Sequence, residues 1–171
     1  SSISSVIGLK DFAREVKISI GTAVQWAYIR KTNEPYSNIL VREFNMLVAE
    51  NEMKFDWIQY ESNNFYFELA DKIVNLAIAH NMTVRGHTLV WHNQSGWASS
   101  VNNPTALSNI LSNHIFTVMK RYSNKVVYWD VVNEAIDDNL DTSATTFYPN
   151  LRKSFWWTNL GSNYIEYAFQ L

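Results

Sequence analysis

Four times along this chain, a run of apolar and β-branched residues stops on polar groups and gives way to a segment whose apolar residues recur at helical spacing. The runs are VKISIGTAV (16–24), FNMLVAENEM (44–53), MTVRGHTLVWH (82–92) and KVVYWDVVNE (125–134). Between the first two, the polar RKTNEPYSN leads into ILVREF, which suits a short helix. After the second, Asn63 and Asn64 are candidate N-caps for a helix carrying Phe65, Leu69, Ile73, Leu76 and Ala77 on one face and ending near His80. After the third, Asn103-Pro104 is the cap and first-turn pair of a helix over 105–122, with a stripe of Leu107, Ile110, Leu111, Ile115, Val118 and Met119. A polar loop runs from Ile136 to Asn150, and NYIEYAFQL then reads as a further helix.

Strands that alternate with helices, without tight turns joining strand to strand, predict an α/β fold. Near-continuous apolar strands predict a parallel sheet covered on both faces. Such units wind right-handedly, and closing them into a (β/α)8 TIM barrel takes eight, of which about four are present here. With 171 residues, 47% of them hydrophobic, one domain over 1–171 is expected, and no linker or repeat divides it.

A net charge of −2 provides no basic surface for a phosphate backbone, so nucleic acid is excluded as a partner. No apolar run approaches the roughly 20 residues that span a bilayer. The N-terminus SSISSVIGL has neither Met nor a hydrophobic leader, and the chain reads as soluble. The absence of cysteine rules out a disulfide scaffold and a thiolate metal site. Asn81-Met82-Thr83 and Asn93-Gln94-Ser95 are glycosylation sequons compatible with secretion, of the kind that arises readily by chance in an Asn-rich chain.

In parallel α/β folds the ligand sits at the carboxyl ends of the strands. Those ends carry Glu50-Asn51 with Lys54, then His87, Trp91 and His92, then Asn133-Glu134. So many hydrogen-bonding groups suit a polyhydroxylated ligand. Seven Trp and nine Tyr add amphipathic rings that suit a pyranose, although part of them serve a core. Glu134 closes a largely apolar run, so partial desolvation is expected to raise its pKa toward that of a general acid. Asn133 can grip a hydroxyl without changing charge. The competing readings are that polar residues merely mark the strand-to-loop transition and that Glu134 is a structural carboxylate. Strand parity puts His87, Leu89 and Trp91 on one face and His92 on the other, a poor chelating pair, so neither a metal nor another cofactor is expected.

The segments FNMLVAENEMKFD, VRGHTLVWHNQ and YWDVVNEAIDD resemble, in order and spacing, the second, third and fourth strand segments of glycoside hydrolase family 10, the endo-1,4-β-xylanases. The similarity extends to IGTAV and YIEYAFQ. It implies an eight-stranded βα barrel that hydrolyses the xylan backbone with retention of configuration. By the same resemblance, Glu134 is the acid/base and Asn133 holds the sugar 2-hydroxyl. His87 and Trp91 line the −1 subsite, Glu50, Asn51 and Lys54 bind the next xylose, and Gln94 is a further binding residue.

Two departures stand out. The loop HNQSGWASS lacks the family's usual proline and is about one residue short. The family's nucleophile is a second Glu on the seventh strand, whereas this chain ends after the fourth unit. Glu166 falls in the terminal helical pattern, on its solvent side. The resemblance therefore implies a secreted, extracellular enzyme segment acting on xylan or xylo-oligosaccharide, with the nucleophile on a carboxy-terminal half-barrel, or else self-association. A non-catalytic xylan-binding half-barrel and a related glycosidase acting on glucan or mannan are the alternatives.

Overall fold

The computed structural model describes residues 7–30 and 35–171. Residues 1–6, and 31–34 within the polar connection at 30–38, lie outside the described residues. The elements run, in chain order, α1 (Leu9–Glu15), β1 (Gly21–Val24), α2 (Trp26–Ile29), α3 (Pro35–Glu43), β2 (Met46–Ala49), α4 (Phe55–Ile58), α5 (Glu68–Ala79), β3 (Thr83–Val90), α6 (Gly96–Ser99), α7 (Pro104–Arg121), β4 (Tyr128–Val132), α8 (Phe155–Leu160) and α9 (Tyr164–Gln170). The four strands form one parallel sheet in the order β1-β2-β3-β4. Neighbours in sequence are thus neighbours in space, as successive right-handed βα units require.

Each long helix buries one stripe that overlaps, without matching, the one its apolar spacing predicts: Leu69 and Leu76 are only partly buried and Met119 is 39% exposed. In α5, Ala70, Ile73, Val74 and Ala77 are buried against the sheet. In α7 the buried set is Leu107, Leu111, His114, Ile115 and Val118. Asn103 caps α7 as expected, its Oδ1 accepting from Ala106 N at 2.9 Å, with Pro104 in the first turn. These helices close one face of the sheet over Val24, Leu47, Val84 and Leu89, all at most 2% exposed. The other face is not covered as the apolar strands suggested: Tyr128 is 53% exposed and every residue of β4 keeps some exposure.

Three boundaries differ from the sequence pattern. The first apolar run gives a strand only from Gly21, because Val16 ends α1 and Lys17 takes a left-handed turn (φ 56). Asn63 and Asn64 do not cap α5, since Asn63 is left-handed (φ 62) and Asn64 Nδ2 donates to Glu61 in a separate turn. That turn leaves Phe65 ahead of the helix, which starts at Glu68. The short helices α1 and α8 have no long apolar period and escape a periodicity reading.

Gly86 of β3 lies opposite Trp129 of β4, and a Cβ there would come within 2.2 Å of the indole ring. Overpacking of this kind costs about 2 kcal/mol. Gly86→Ala should therefore lower the thermal midpoint followed by circular dichroism by about 6 °C. An unchanged midpoint would show that Trp129 moves aside freely.

Candidate active site

The carboxyl ends of β2, β3 and β4 open onto a cleft of about 480 Å³ lined by Glu50, Lys54, Arg85, His87, Trp91, Asp130, Asn133 and Glu134, among others. That volume suits a small ligand or a segment of a chain.

At the end of β2, Glu50 N donates to Val24 O at 2.9 Å, the last rung shared with β1. The chain then turns through Asn51–Lys54, with Glu52 buried beneath it at 4% exposure. The Glu52 carboxylate accepts from Trp26 N at 2.7 Å and Asn51 N at 3.3 Å, so it pins the turn to the segment after β1. Lys54 precedes α4; its Nζ donates to Asn51 Oδ1 at 2.9 Å and sits 4.7 Å from the Trp91 ring centroid. A cation over an indole face is held electrostatically by the ring quadrupole.

On β3, Arg85 and His87 alternate onto the cleft face. Both meet Asp130 of β4: Arg85 Nε donates to its Oδ1 at 2.9 Å, and His87 Nδ1 lies 2.9 Å from its Oδ2. Burial works to raise the Asp130 carboxyl, but hydrogen bonds from Arg85 and His87, with their charge, outweigh it and hold the group below the usual Asp range. His87 is thereby oriented through Nδ1.

β4 ends at Val132, and Asn133 N donates to Val90 O at 2.8 Å. Glu134 then adopts a left-handed backbone, φ 51, a conformation that costs a non-glycine residue about 1 kcal/mol or more and concentrates at functional sites. Its carbonyl is held by Arg152 Nε at 3.0 Å. The side chain is 45% exposed, with Oε2 3.1 Å from His92 Nδ1. The apolar residues before it pack in the sheet, while its own side chain extends past the strand to line the cleft.

Six of the eight residues singled out from sequence share this cleft: Glu50, Lys54, His87, Trp91, Asn133 and Glu134. Asn51 stands behind Lys54 and holds it. Gln94 is not on the cleft wall. Because α6 begins two residues later, the loop folds back and Gln94 Nε2 donates to Ser99 Oγ at 2.8 Å. His92 is the main correction to the strand-parity reading. β3 ends at Val90 after a register shift between His87 and Val90, so alternation does not continue to position 92, and the imidazole reaches Glu134. Leu89, expected beside His87, is buried in the core. Arg85 and Asp130 were missed altogether, although Arg85 is two places before His87 on the same strand face and parity alone reaches it.

The family model for glycosyl hydrolase family 10 matches residues 8–171. The chain belongs to glycosyl hydrolase family 10. Endo-1,4-beta-xylanase B of Thermotoga neapolitana is 39% identical over 170 residues, covering 96% of this chain and 46% of that protein. Exoglucanase XynX of Acetivibrio thermocellus is 41% identical over 165 residues, covering 88% of this chain and 14% of that protein. Xylanase 10B from Thermotoga petrophila, solved in complex with xylobiose, superposes with a TM-score of 0.87 at 37% identity, covering 99% of this chain and 50% of that one. The chain thus spans about half, or less, of the length of these relatives. Its four parallel strands correspond to four of the eight in the family 10 barrel.

Proposed function

We propose that residues 1–171 form the amino-terminal half of the catalytic barrel of a family 10 endo-1,4-β-xylanase that cleaves the xylan backbone with retention of configuration. Glu134 is the general acid that protonates the glycosidic oxygen and then the base that activates water. Asn133 holds the 2-hydroxyl of the reacting sugar. His87 and Trp91 line that sugar's site, and Glu50, Asn51 and Lys54 hold the next xylose. The observation that carries this reading is the convergence of Glu134, Asn133, His87, Trp91 and Lys54 on one cleft at the strand ends.

Retaining hydrolysis needs a second carboxylate about 5 to 5.5 Å from the first, to attack the anomeric carbon. Asp130 does not fit that role, because both its oxygens are engaged by Arg85 and His87. Glu166 lies on the exposed side of α9 and hydrogen-bonds Gln170. A carboxy-terminal half-barrel supplies the nucleophile in this reading, docking on the open sheet face and edges. The reading carries an extracellular site of action with it, since polymeric xylan lies outside cells.

One relative's name, exoglucanase, favours a second reading in which the polymer is a glucan. A single assay separates the two: this chain mixed with a family 10 carboxy-terminal half, with release of reducing sugar followed on xylan and on β-glucan. Hydrolysis of xylan in preference to glucan is expected. A folded pair that leaves xylan intact refutes the xylanase reading, and a preference for glucan replaces it with the second.

A further inference from the structure

Behind the cleft lies a buried indole: Trp156 of α8 is 1% exposed. Its Nε1 donates to the main-chain oxygen of Trp91 at 2.8 Å. That carbonyl falls one residue beyond the last residue of β3, where the sheet offers it no partner, and a buried carbonyl needs one. The Trp156 ring also packs on Phe55, centroid to centroid 5.9 Å, and Phe55 follows Lys54 directly at the start of α4. The opposite support of Phe55 comes from His114, stacked at 4.1 Å, and Trp97, at 6.2 Å. One side chain thus holds Trp91 through a hydrogen bond and, through ring packing, Phe55, the residue next to Lys54.

The same stretch of chain is fixed to Glu134. Arg152, four residues before Trp156, holds the Glu134 carbonyl through Nε at 3.0 Å and the Ala135 carbonyl through its backbone N–H at 2.8 Å. Ser154 N donates back to Arg152 O at 2.8 Å, and the Ser154 side chain caps α8. We infer that Trp156 is a positioning residue, which sets the Lys54–Trp91 sugar wall at a fixed distance from the acid Glu134. The inference rests on the xylanase reading above and adds to it a residue of the loop after β4 that makes no contact with substrate.

A neighbouring residue provides the control. Trp157 has a buried Nε1 with no hydrogen-bond partner among the described residues, so Trp157→Phe removes the same N–H without breaking a bond. The test measures KM and kcat on xylotriose for this chain paired with a carboxy-terminal half, together with the Kd for xylotriose of this chain itself, well below each variant's melting midpoint. Trp156→Phe should raise KM and Kd about five- to tenfold, the worth of one hydrogen bond, with kcat within about twofold. Trp157→Phe should change neither constant. Phe55→Leu, which keeps Trp156 and its hydrogen bond but removes the ring contact, should raise KM in the same direction, and it decides the matter if Trp156→Phe does not fold.

A Trp156→Phe or Phe55→Leu variant that melts earlier yet retains the wild-type KM and Kd overturns the positioning role and leaves the xylanase reading standing. Equal effects of Trp156→Phe and Trp157→Phe overturn it as well. If the unmodified chain neither binds xylotriose nor hydrolyses xylan with its partner half, both the role and the reading fall together.

Discussion

Replacing Glu134 with Gln, in this chain paired with a carboxy-terminal half-barrel, is expected to lower kcat on xylan by about a thousandfold. General acid catalysis contributes about 10²- to 10⁴-fold, and a thousandfold loss corresponds to about 4 kcal/mol in the barrier. Gln matches Glu in shape and still accepts and donates hydrogen bonds, but it has no acidic proton for the departing sugar oxygen. The fold should be unaffected: the side chain is 45% exposed, and Gln keeps an amide group where the carboxylate faces His92. Both residues are equally disfavoured at the left-handed φ of 51°, so the backbone strain is the same in parent and variant. Binding of xylo-oligosaccharide should therefore survive while turnover collapses. Loss of binding in parallel with turnover would show that Glu134 grips the ligand rather than protonating it.

The second large effect concerns stability and acid. His114 is fully buried in α7, with Nδ1 3.0 Å from Gln59 Oε1 and its ring stacked between Phe55 and Phe65. No charged side chain is among these partners. Burial therefore disfavours the imidazolium and pushes the pKa down from 6.5 to about 3. In the unfolded chain His114 takes up a proton near pH 6.5, whereas in the folded chain it stays neutral until about pH 3. The unfolded state thus binds more protons throughout this window, so stability is full above pH 6.5 and falls as the pH drops toward 3.

At about 1.4 kcal/mol per pH unit, the loss across the window reaches about 5 kcal/mol, a large share of the roughly 5 to 15 kcal/mol that holds a domain folded. Carboxylates held below their ordinary values act with the same sign but lower down, Asp71 and Asp130 among them. Asp71 is raised by burial, then more than compensated by hydrogen bonds from Arg121 and Tyr122, and Asp130 is held low in the same manner by Arg85 and His87. Their contribution is present above the ordinary Asp value of 3.8 and is lost as the pH falls below it. The interval between pH 6.5 and about 5 therefore reports mainly on His114. Urea midpoints measured over that interval should decline steeply for the native sequence and stay nearly flat for His114→Gln. Parallel declines in both proteins would assign the acid sensitivity to other groups.

The order of elements was readable because the chain announces it in two periods. Apolar runs mark the strands, and Asn103-Pro104 with its stripe marks α7. The strand ends were readable for a related reason: polar residues that close an apolar run, such as Glu50-Asn51 and Asn133-Glu134, lie where the sheet opens. What escaped depended on geometry that sequence spacing does not encode. His92 was misplaced because alternation holds only while the strand continues, and β3 stops at Val90. In sequence Asp130 is one polar residue within an apolar run; only the pairing of β3 with β4 places it beside Arg85 and His87. His114 and Trp156 carry no motif, and their positions follow from packing between α4, α7 and α8.

In the proposed role, the proton of Glu134 matters only when the leaving group needs it. The decisive measurement is kcat/KM of Glu134→Gln relative to the parent, in the paired enzyme, on a xylo-oligosaccharide and on a dinitrophenyl xylobioside, whose phenolate departs without protonation. A general acid at position 134 predicts a loss of about a thousandfold on the first substrate and less than about tenfold on the second. Equal losses on both, or none on either, would contradict it.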